Sequence, residues 1–223
     1  MRDPIAGCLM RVYEALRDAF GHQGWWPAKT PFEVMVGAIL TQRTNWNNAR
    51  TAIERLGAAD LLNAHALAEA RPERLQELVR PSGYYRQKAA RLQELARWLV
   101  NRADGDPSQV VGNTAELRTE LLSLRGIGPE TADSILLYAL GRPTFVVDAY
   151  TVRMAVRHGL VDTDCDYFEL QELFESHLPR DPELYKDYHA QLVELGKRYC
   201  RPRRACAECP LRALPGLPPP GEP

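Results

Sequence analysis

The stretch that most constrains this chain is Leu117–Asp148, LRTELLSLRGIGPETADSILLYALGRPTFVVD. Leu117, Leu121, Leu122 and Leu124 form one apolar stripe at helical spacing. Ala132, Ile135, Leu136, Ala139 and Leu140 form another. Between the stripes stands Leu124-Arg125-Gly126-Ile127-Gly128-Pro129, two glycines two residues apart and a proline where the second helix begins. A proline at a first helical position loses nothing, because that N–H has no helical partner in any case. Gly126 and Gly128 permit positive φ and close backbone approach. The pattern predicts a tight helical hairpin with outward backbone amides suited to an anion. After the second helix an apolar run, Phe145-Val146-Val147, delivers one carboxylate, Asp148, to the rim of a packed core.

Composition excludes several classes of protein. At 223 residues, with 45% hydrophobic and 26% charged residues, the chain is long enough for one large or two small domains. A net charge of −1 provides no global attraction for nucleic acid, so any such contact needs a local basic patch. No apolar run reaches the length of a membrane span, and the first twenty residues read as an amphipathic helix containing acids rather than a signal peptide. Three of the five cysteines crowd into Cys200–Cys209, which favours a metal or cluster site in a reducing cytoplasm over disulfides.

Helical periodicity dominates and no strand alternation stands out, so the expected fold class is all-α. Thr30-Pro31-Phe32-Glu33 reads as a helix start, and the helix that follows is apolar nearly all round, hence buried. Short helices are expected at Ala58–Asn63 and Leu67–Ala70, and a longer one from Tyr84 to about Asn101. Asn113-Thr114-Ala115-Glu116 has the pattern of a capping box leading into the hairpin. The proline-rich tail, 214–223, is expected to be disordered.

The hairpin, the helix after it and Asp148 closing an apolar run together resemble the helix-hairpin-helix DNA glycosylases, the endonuclease III superfamily. Further segments match in order. Phe32–Gln42 with Thr44 resembles the family's buried helix and its polar extension. Pro81-Ser82-Gly83-Tyr84 with Lys88 resembles the loop that wedges into DNA. Cys200, Cys206 and Cys209 resemble the C-terminal iron–sulfur loop. The resemblance spans roughly Phe32 to Cys209. It implies a six-helix barrel domain over 23–133, ending in the hairpin. A second helical domain would form from 1–22 and 134–213, with the active-site cleft between the two.

It also implies chemistry. Such an enzyme flips a damaged base out of double-stranded DNA and breaks its C1′–N bond. A fixed carboxylate then stabilises the positive charge developing on the sugar. Asp148 is the candidate, and it also precedes a helix it can cap. Endonuclease III carries a lysine one residue into the helix after the hairpin. Here that position is Glu130, which cannot form an imine, so a monofunctional glycosylase without efficient strand cleavage is expected. As an acid in a first turn, Glu130 also complements the helix dipole. Trp25-Trp26-Pro27, Gln42 and Trp46 resemble most the bacterial 3-methyladenine glycosylase III group, which implies a base pocket of Trp25, Trp26 and Trp46 for alkylated purines. A methylated purine is cationic, so it leaves readily and is attracted to a ring face. Other readings stay open: oxidised pyrimidines with weak lyase activity, or a non-catalytic binder of damaged DNA.

For DNA contacts, the hairpin amides at Gly126 and Gly128 would hold a phosphate and Gln42 would fill the hole left by the base. Ser82 or Tyr84 would wedge. Arg125, Lys88, Arg153 and the Lys197–Arg204 segment would supply positive charge. The family's cysteine pattern has a fourth member where this chain has Pro215. A [4Fe–4S] cluster on Cys200, Cys206 and Cys209 therefore needs another donor, with Cys8, Cys165, His189 and solvent as candidates, unless the loop is empty. The protein is expected to act as a cytoplasmic monomer on nucleoid DNA, without membrane contact.

Overall fold

The computed structural model describes residues 3–203, 205–214 and 217. Among them there is no strand, in agreement with the all-α expectation. The chain divides into two compact units, one of 1–25 with 143–223 and one of 26–142. Helix α1 (Pro4–Phe20) belongs to the first. The second holds α2 (Pro31–Leu40), α3 (Trp46–Ala58), α4 (Ala64–Glu69), α5 (Pro72–Val79), α6 (Tyr85–Ala103), α7 (Thr114–Ser123) and α8 (Pro129–Ser134). Helix α8 runs on into a π turn, Ile135–Ala139. The first unit resumes with α9 (Ala149–Arg157), α10 (Tyr167–His177) and α11 (Pro182–Arg198).

The core of the 26–142 unit is built around α2, in which every residue from Phe32 to Leu40 is buried. Its start follows the sequence signal. Thr30 Oγ1 accepts the Glu33 amide at 3.1 Å, and the Glu33 carboxylate accepts the Lys29 amide at 3.1 Å. Met35, Ile39 and Leu40 are fully buried against Leu92, Leu95 and Leu99 of α6 and Ile135 and Leu136 of the π turn, within one cluster. Each such side chain stabilises the fold by ~1.5–3 kcal/mol relative to exposure. The helix expected at Ala58–Asn63 does not form. Asp60 turns into the left-handed region (φ 57°), and Asn63 instead caps α4 by accepting the Ala66 amide at 2.8 Å. The Asn side chain competes for nearby backbone amides, which favours it at a helix start over a helix interior.

In the other unit, α1 packs on α11: the Tyr13 hydroxyl donates to Asp187 at 2.9 Å and that of Tyr188 to the Leu9 carbonyl at 2.8 Å. Phe145 stacks on Phe174 with centroids 4.1 Å apart and meets Tyr185 and Tyr188 edge-on. The run 143–147 is irregular, with 144–147 buried, and no strand lies among the described residues. Its backbone groups still need partners. Side chains of α10 provide them: Glu175 accepts the Phe145 amide at 2.7 Å, Gln171 donates to the Phe145 carbonyl at 2.7 Å, and the Tyr167 hydroxyl lies 3.4 Å from the Val147 amide. Helix α9 meets α11 at Gly196, where a Cβ would stand 2.0 Å from the Tyr150 ring. The tail expected to be disordered lies outside the described residues, save Leu214 and Leu217. No described helix is long and apolar enough to cross a membrane.

Candidate functional site

In the 26–142 unit the two hairpin glycines differ. Gly126 has φ +78°, a conformation that favours glycine, and a Cβ on it would displace the end of the Arg91 side chain. Gly128 is extended and a Cβ there would enter open space. Of the hairpin amides, that of Arg125 donates to the Glu94 carboxylate at 3.0 Å and that of Ile127 to the Leu124 carbonyl at 3.1 Å. Among the described residues no acceptor is assigned to the amides of Gly126 and Gly128. Arg125 and Glu130 are exposed beside them.

Gln42 supports this hairpin. Its amide nitrogen donates to the Gly126 carbonyl at 3.1 Å and to Thr131 Oγ1 at 2.9 Å, while its oxygen accepts from Arg91 at 2.5 Å. A carboxamide committed at both ends is a clamp, and filling a vacated base position would require breaking those bonds. Two expectations need correction. Ser82 is fully buried, its hydroxyl donating to the Val79 carbonyl at 2.7 Å, so its side chain is no wedge. Lys88 is not part of a surface patch. Its ammonium is buried and donates to the carbonyls of Leu40 (2.8 Å) and Ser82 (2.7 Å). Burial, aided by the nearby charge of Arg91, pushes its pKa down to about 8. Lys88 thereby ties the C-terminal end of α2 to the 80–83 turn, where an adjacent cation is favourable. That turn presents Tyr84, 56% exposed and in a left-handed conformation, with Arg43 over its ring.

The adjacent tryptophans part company. Trp26 packs edge-on to Trp46 (6.1 Å) and Tyr138 (5.2 Å), lying over Gly37 of α2. The π turn sets Tyr138 there; its ladder bond runs from the Leu140 amide to the Ile135 carbonyl, five residues back. Trp25 belongs to the other unit, edge-on to His189 at 5.9 Å with the Lys197 ammonium 5.5 Å from its ring centre.

His189 leads to Asp148, the N-cap of α9. Asp148 Oδ1 accepts from the amides of Tyr150 (2.9 Å) and Thr151 (2.8 Å) and from the Thr151 hydroxyl (2.9 Å). Oδ2 stands 3.5 Å from Nε2 of His189, with the Asp148 side chain only 11% exposed. Burial alone would raise this carboxyl. The imidazole of His189 and the Thr151 amide and hydroxyl overcome burial and hold it below the ordinary aspartate value. Sequence reading picked out Asp148 but considered His189 only as a metal donor. The two are 41 positions apart and meet because α9 packs on α11.

The three C-terminal cysteines line one recess with Arg157, His158, Leu195, Tyr199 and Arg212, about 340 Å³ of empty space, part of it open to solvent. Arg157 donates toward the Cys200 sulfur at 3.2 Å and Arg153 to the Cys200 carbonyl at 2.9 Å. Among the described residues no three or more His, Cys, Asp or Glu side chains converge as ligands of one ion. Cys8 and Cys165 are not in this lining. Cys8 is buried in the α1 core, and the Cys165 sulfur contacts the Asp166 carbonyl at 3.4 Å. Arg204 and Pro215 lie outside the described residues.

Comparison with known proteins agrees with this architecture. Residues 36–180 match the model of the HhH-GPD superfamily of base excision DNA repair proteins. A Methanocaldococcus jannaschii protein, provisionally named as a DNA repair glycosylase, is 46% identical over 206 residues, covering 92% of this chain and 94% of that protein. Endonuclease III of Thermotoga maritima is 34% identical over 82% of this chain and 81% of its own length. The crystal structure of H. pylori 3-methyladenine DNA glycosylase bound to 1,N6-ethenoadenine is 30% identical. It superposes with a TM-score of 0.73 over 85% of this chain and 97% of that one. A hairpin with two unclaimed glycine amides, a helix-capping carboxylate at the end of a buried run and these likenesses lead to one statement: the chain belongs to the helix-hairpin-helix superfamily of base excision DNA glycosylases.

Proposed function

We propose that this enzyme is a monofunctional glycosylase that removes alkylated purines, such as 3-methyladenine, from double-stranded DNA. The observation that carries the reading is the paired condition of its acids. Asp148 is buried, ionised and oriented by three donors on one oxygen. Glu130 occupies the first turn after the hairpin, where an amine nucleophile would otherwise stand. A carboxylate fixed by neutral donors keeps its negative charge available for an oxocarbenium-like sugar and for orienting the attacking water. His189 keeps that carboxylate charged despite burial.

Three of the chain's four lysines are engaged elsewhere. Lys88 is buried and doubly bonded, Lys186 pairs with Glu183 at 2.7 Å, and Lys197 lies on Trp25. The Trp26, Trp46 and Tyr138 rings are the aromatic surfaces that suit a cationic base, an attraction of about 1–2 kcal/mol when desolvated. For DNA, the Gly126 and Gly128 amides would take a phosphate, Tyr84 would wedge and Arg125 would add charge. The likeness to the H. pylori 3-methyladenine enzyme supports the purine reading.

We assign the three cysteines to a [4Fe–4S] cluster by their spacing in the sequence. Cys200, Cys206 and Cys209 would hold it, and its chemistry there would be structural, stapling the 197–212 segment.

A base-release panel tests the function: duplexes bearing 3-methyladenine, oxidised pyrimidines or mispaired uracil, with borohydride trapping on abasic DNA in parallel. Release of 3-methyladenine without a trapped adduct is expected. Preferential release of oxidised pyrimidines or uracil overturns the substrate reading, and an efficient adduct overturns monofunctionality. Absence of any release, with damaged DNA still bound, leaves a non-catalytic binder.

A further inference from the structure

We infer that Arg91, held in place by Gln42, supplies the positive charge of the phosphate site at the hairpin and grips a phosphodiester of the DNA backbone there. This rests on the hairpin–phosphate reading above and adds a cation that sequence reading did not single out. Arg91 lies half-buried on α6. Its Nη1 donates to Gln42 Oε1, and the other end of that carboxamide donates to the Gly126 carbonyl at 3.1 Å and to Thr131 Oγ1 at 2.9 Å. A Cβ built on Gly126 would collide with Nε and Cζ of Arg91, so the guanidinium lies against the hairpin backbone itself. Of the guanidinium N–H donors, the bond to Gln42 is the one assigned among the described residues. The remaining edge of the fork has the planar, bidentate geometry that phosphate oxygens accept.

Charge balance supports the assignment. Lys88 and Arg91 share one face of α6, near enough for the guanidinium to help push the Lys88 pKa down. Neither pairs with a carboxylate among the described residues: Lys88 is bonded to two backbone carbonyls and Arg91 to a neutral carboxamide. Glu94, further along α6, is engaged by the Arg125 amide at 3.0 Å. Two like charges held side by side without an acid leave a local positive surplus in a chain whose net charge is −1, the basic patch that composition alone does not provide. The Lys88 ammonium is committed inside the fold, so Arg91 is the member of the pair that a phosphate can reach. Arg125, exposed beside the hairpin, has no such tether among the described residues. A cation already fixed by Gln42 loses less side-chain freedom on binding, so more of the contact energy remains as affinity.

Fluorescence anisotropy of the full-length protein tests this, on an undamaged duplex and on one bearing an abasic-site analogue, each at several salt concentrations. Arg91→Met should weaken binding to both by about tenfold or more and make the slope of log K against log salt shallower by ~0.9, the share of one phosphate. Arg91→Lys should keep the slope and lose part of the affinity, since an ammonium retains the charge but not the fork. Gln42→Leu should weaken both duplexes in wild type and add little in an Arg91→Met background, because holder and cation act as one unit. Loss confined to the abasic duplex in Gln42→Leu overturns its role as holder. Replacing duplex phosphates one at a time by neutral methylphosphonates locates the contact: at one position that weakens wild type, both Arg91→Met and Gly128→Ala should be indifferent. If both variants respond at every position as wild type does, the hairpin–phosphate reading itself fails. If Gly128→Ala alone is indifferent at one position, while Arg91→Met responds there and keeps the wild-type salt slope, the Arg91 assignment alone is overturned. Circular dichroism checks the fold of each variant, and Arg91→Gln, which drops the charge but keeps an N–H for Gln42, decides the matter if Arg91→Met unfolds.

Discussion

Two buried aspartates, one in each unit, show what the molecule does with a desolvated charge. Asp133 is fully buried at the end of α8 and is gripped by Arg118, Nε to Oδ1 at 2.7 Å and Nη2 to Oδ2 at 2.9 Å. That fork neutralises both oxygens with a permanent cation. Asp148 is nearly as buried but is held by two amides, a hydroxyl and an imidazole. The first arrangement locks α7 to α8 and leaves the carboxylate nothing more to do. The second orients the carboxylate through one oxygen, the arrangement on which the proposed catalytic role of Asp148 rests. Burial is common to both, and the identity of the partner separates them.

The sharpest way to break this comparison is to neutralise each carboxylate. Asp148→Asn should lower single-turnover base release on the order of 10³-fold, the range for removing a preorganised electrostatic group, while melting temperature and binding to an abasic duplex stay close to wild type. Arg118→Met should do the reverse, costing about 3 kcal/mol in denaturant unfolding because the buried Asp133 loses its guanidinium, with little change in the rate per folded molecule. If the two variants share a phenotype, the distinction drawn from their partners fails.

The hairpin glycines repeat the contrast on a smaller scale. Gly126→Ala, forced into a left-handed conformation against Arg91, should destabilise by at least ~1–2 kcal/mol. Gly128→Ala should leave stability within about 0.5 kcal/mol, since its Cβ meets nothing. A loss of affinity for abasic DNA in that stable variant would mark the Gly128 backbone as a phosphate contact, and unchanged affinity would remove it from the interface.

His189 and Lys88 give smaller, pH-dependent effects. In wild type the Asp148 carboxyl is held low, so it remains charged well into acid and its stabilising contacts are lost only as pH falls through that depressed value. In His189→Leu burial is no longer opposed by the imidazole, the carboxyl titrates higher, and the acid limb of base release should move to higher pH. An unmoved limb would show that His189 does not tune Asp148. For Lys88, whose folded pKa of about 8 lies below the unfolded value, the unfolded chain binds more protons between the two. Stability should therefore rise from about pH 8 toward 10.5, and Lys88→Met should flatten that rise in urea titrations at several pH values.

How much of this was legible depended on how far the partners stand apart in the chain. Helix starts were readable because cap and amide are three residues apart, as at Thr30, Asn113 and Asp148. The hairpin was readable because glycine spacing and two apolar stripes are local. Lys88 was read as surface because lysine usually is, and nothing near it betrays that the Leu40 carbonyl, 48 residues away, awaits its ammonium. The bonds of Gln42 to Gly126 and Thr131 span 84 and 89 residues, so they leave no local pattern in the sequence. Asp148 could be picked out by its position after a buried run, but His189, which tunes it, reaches it only through the packing of α9 on α11. The π turn left no pattern in the sequence, because Ile135–Ala139 has the composition of any buried helix.

Gly196 draws that dependence to one point. It bears no functional group, yet the hydrogen atom it carries in place of a methyl is what lets the Tyr150 ring settle onto the α11 backbone. Tyr150 is two residues past Asp148, on the same first turn of α9. Any side chain at 196 would push that turn outward and change the separation of Asp148 from His189, both of whose atoms would remain intact. A position with no chemistry of its own thus governs the spacing of Asp148 and His189, and under the proposed role of Asp148 a substitution there should lower base release with both side chains unchanged.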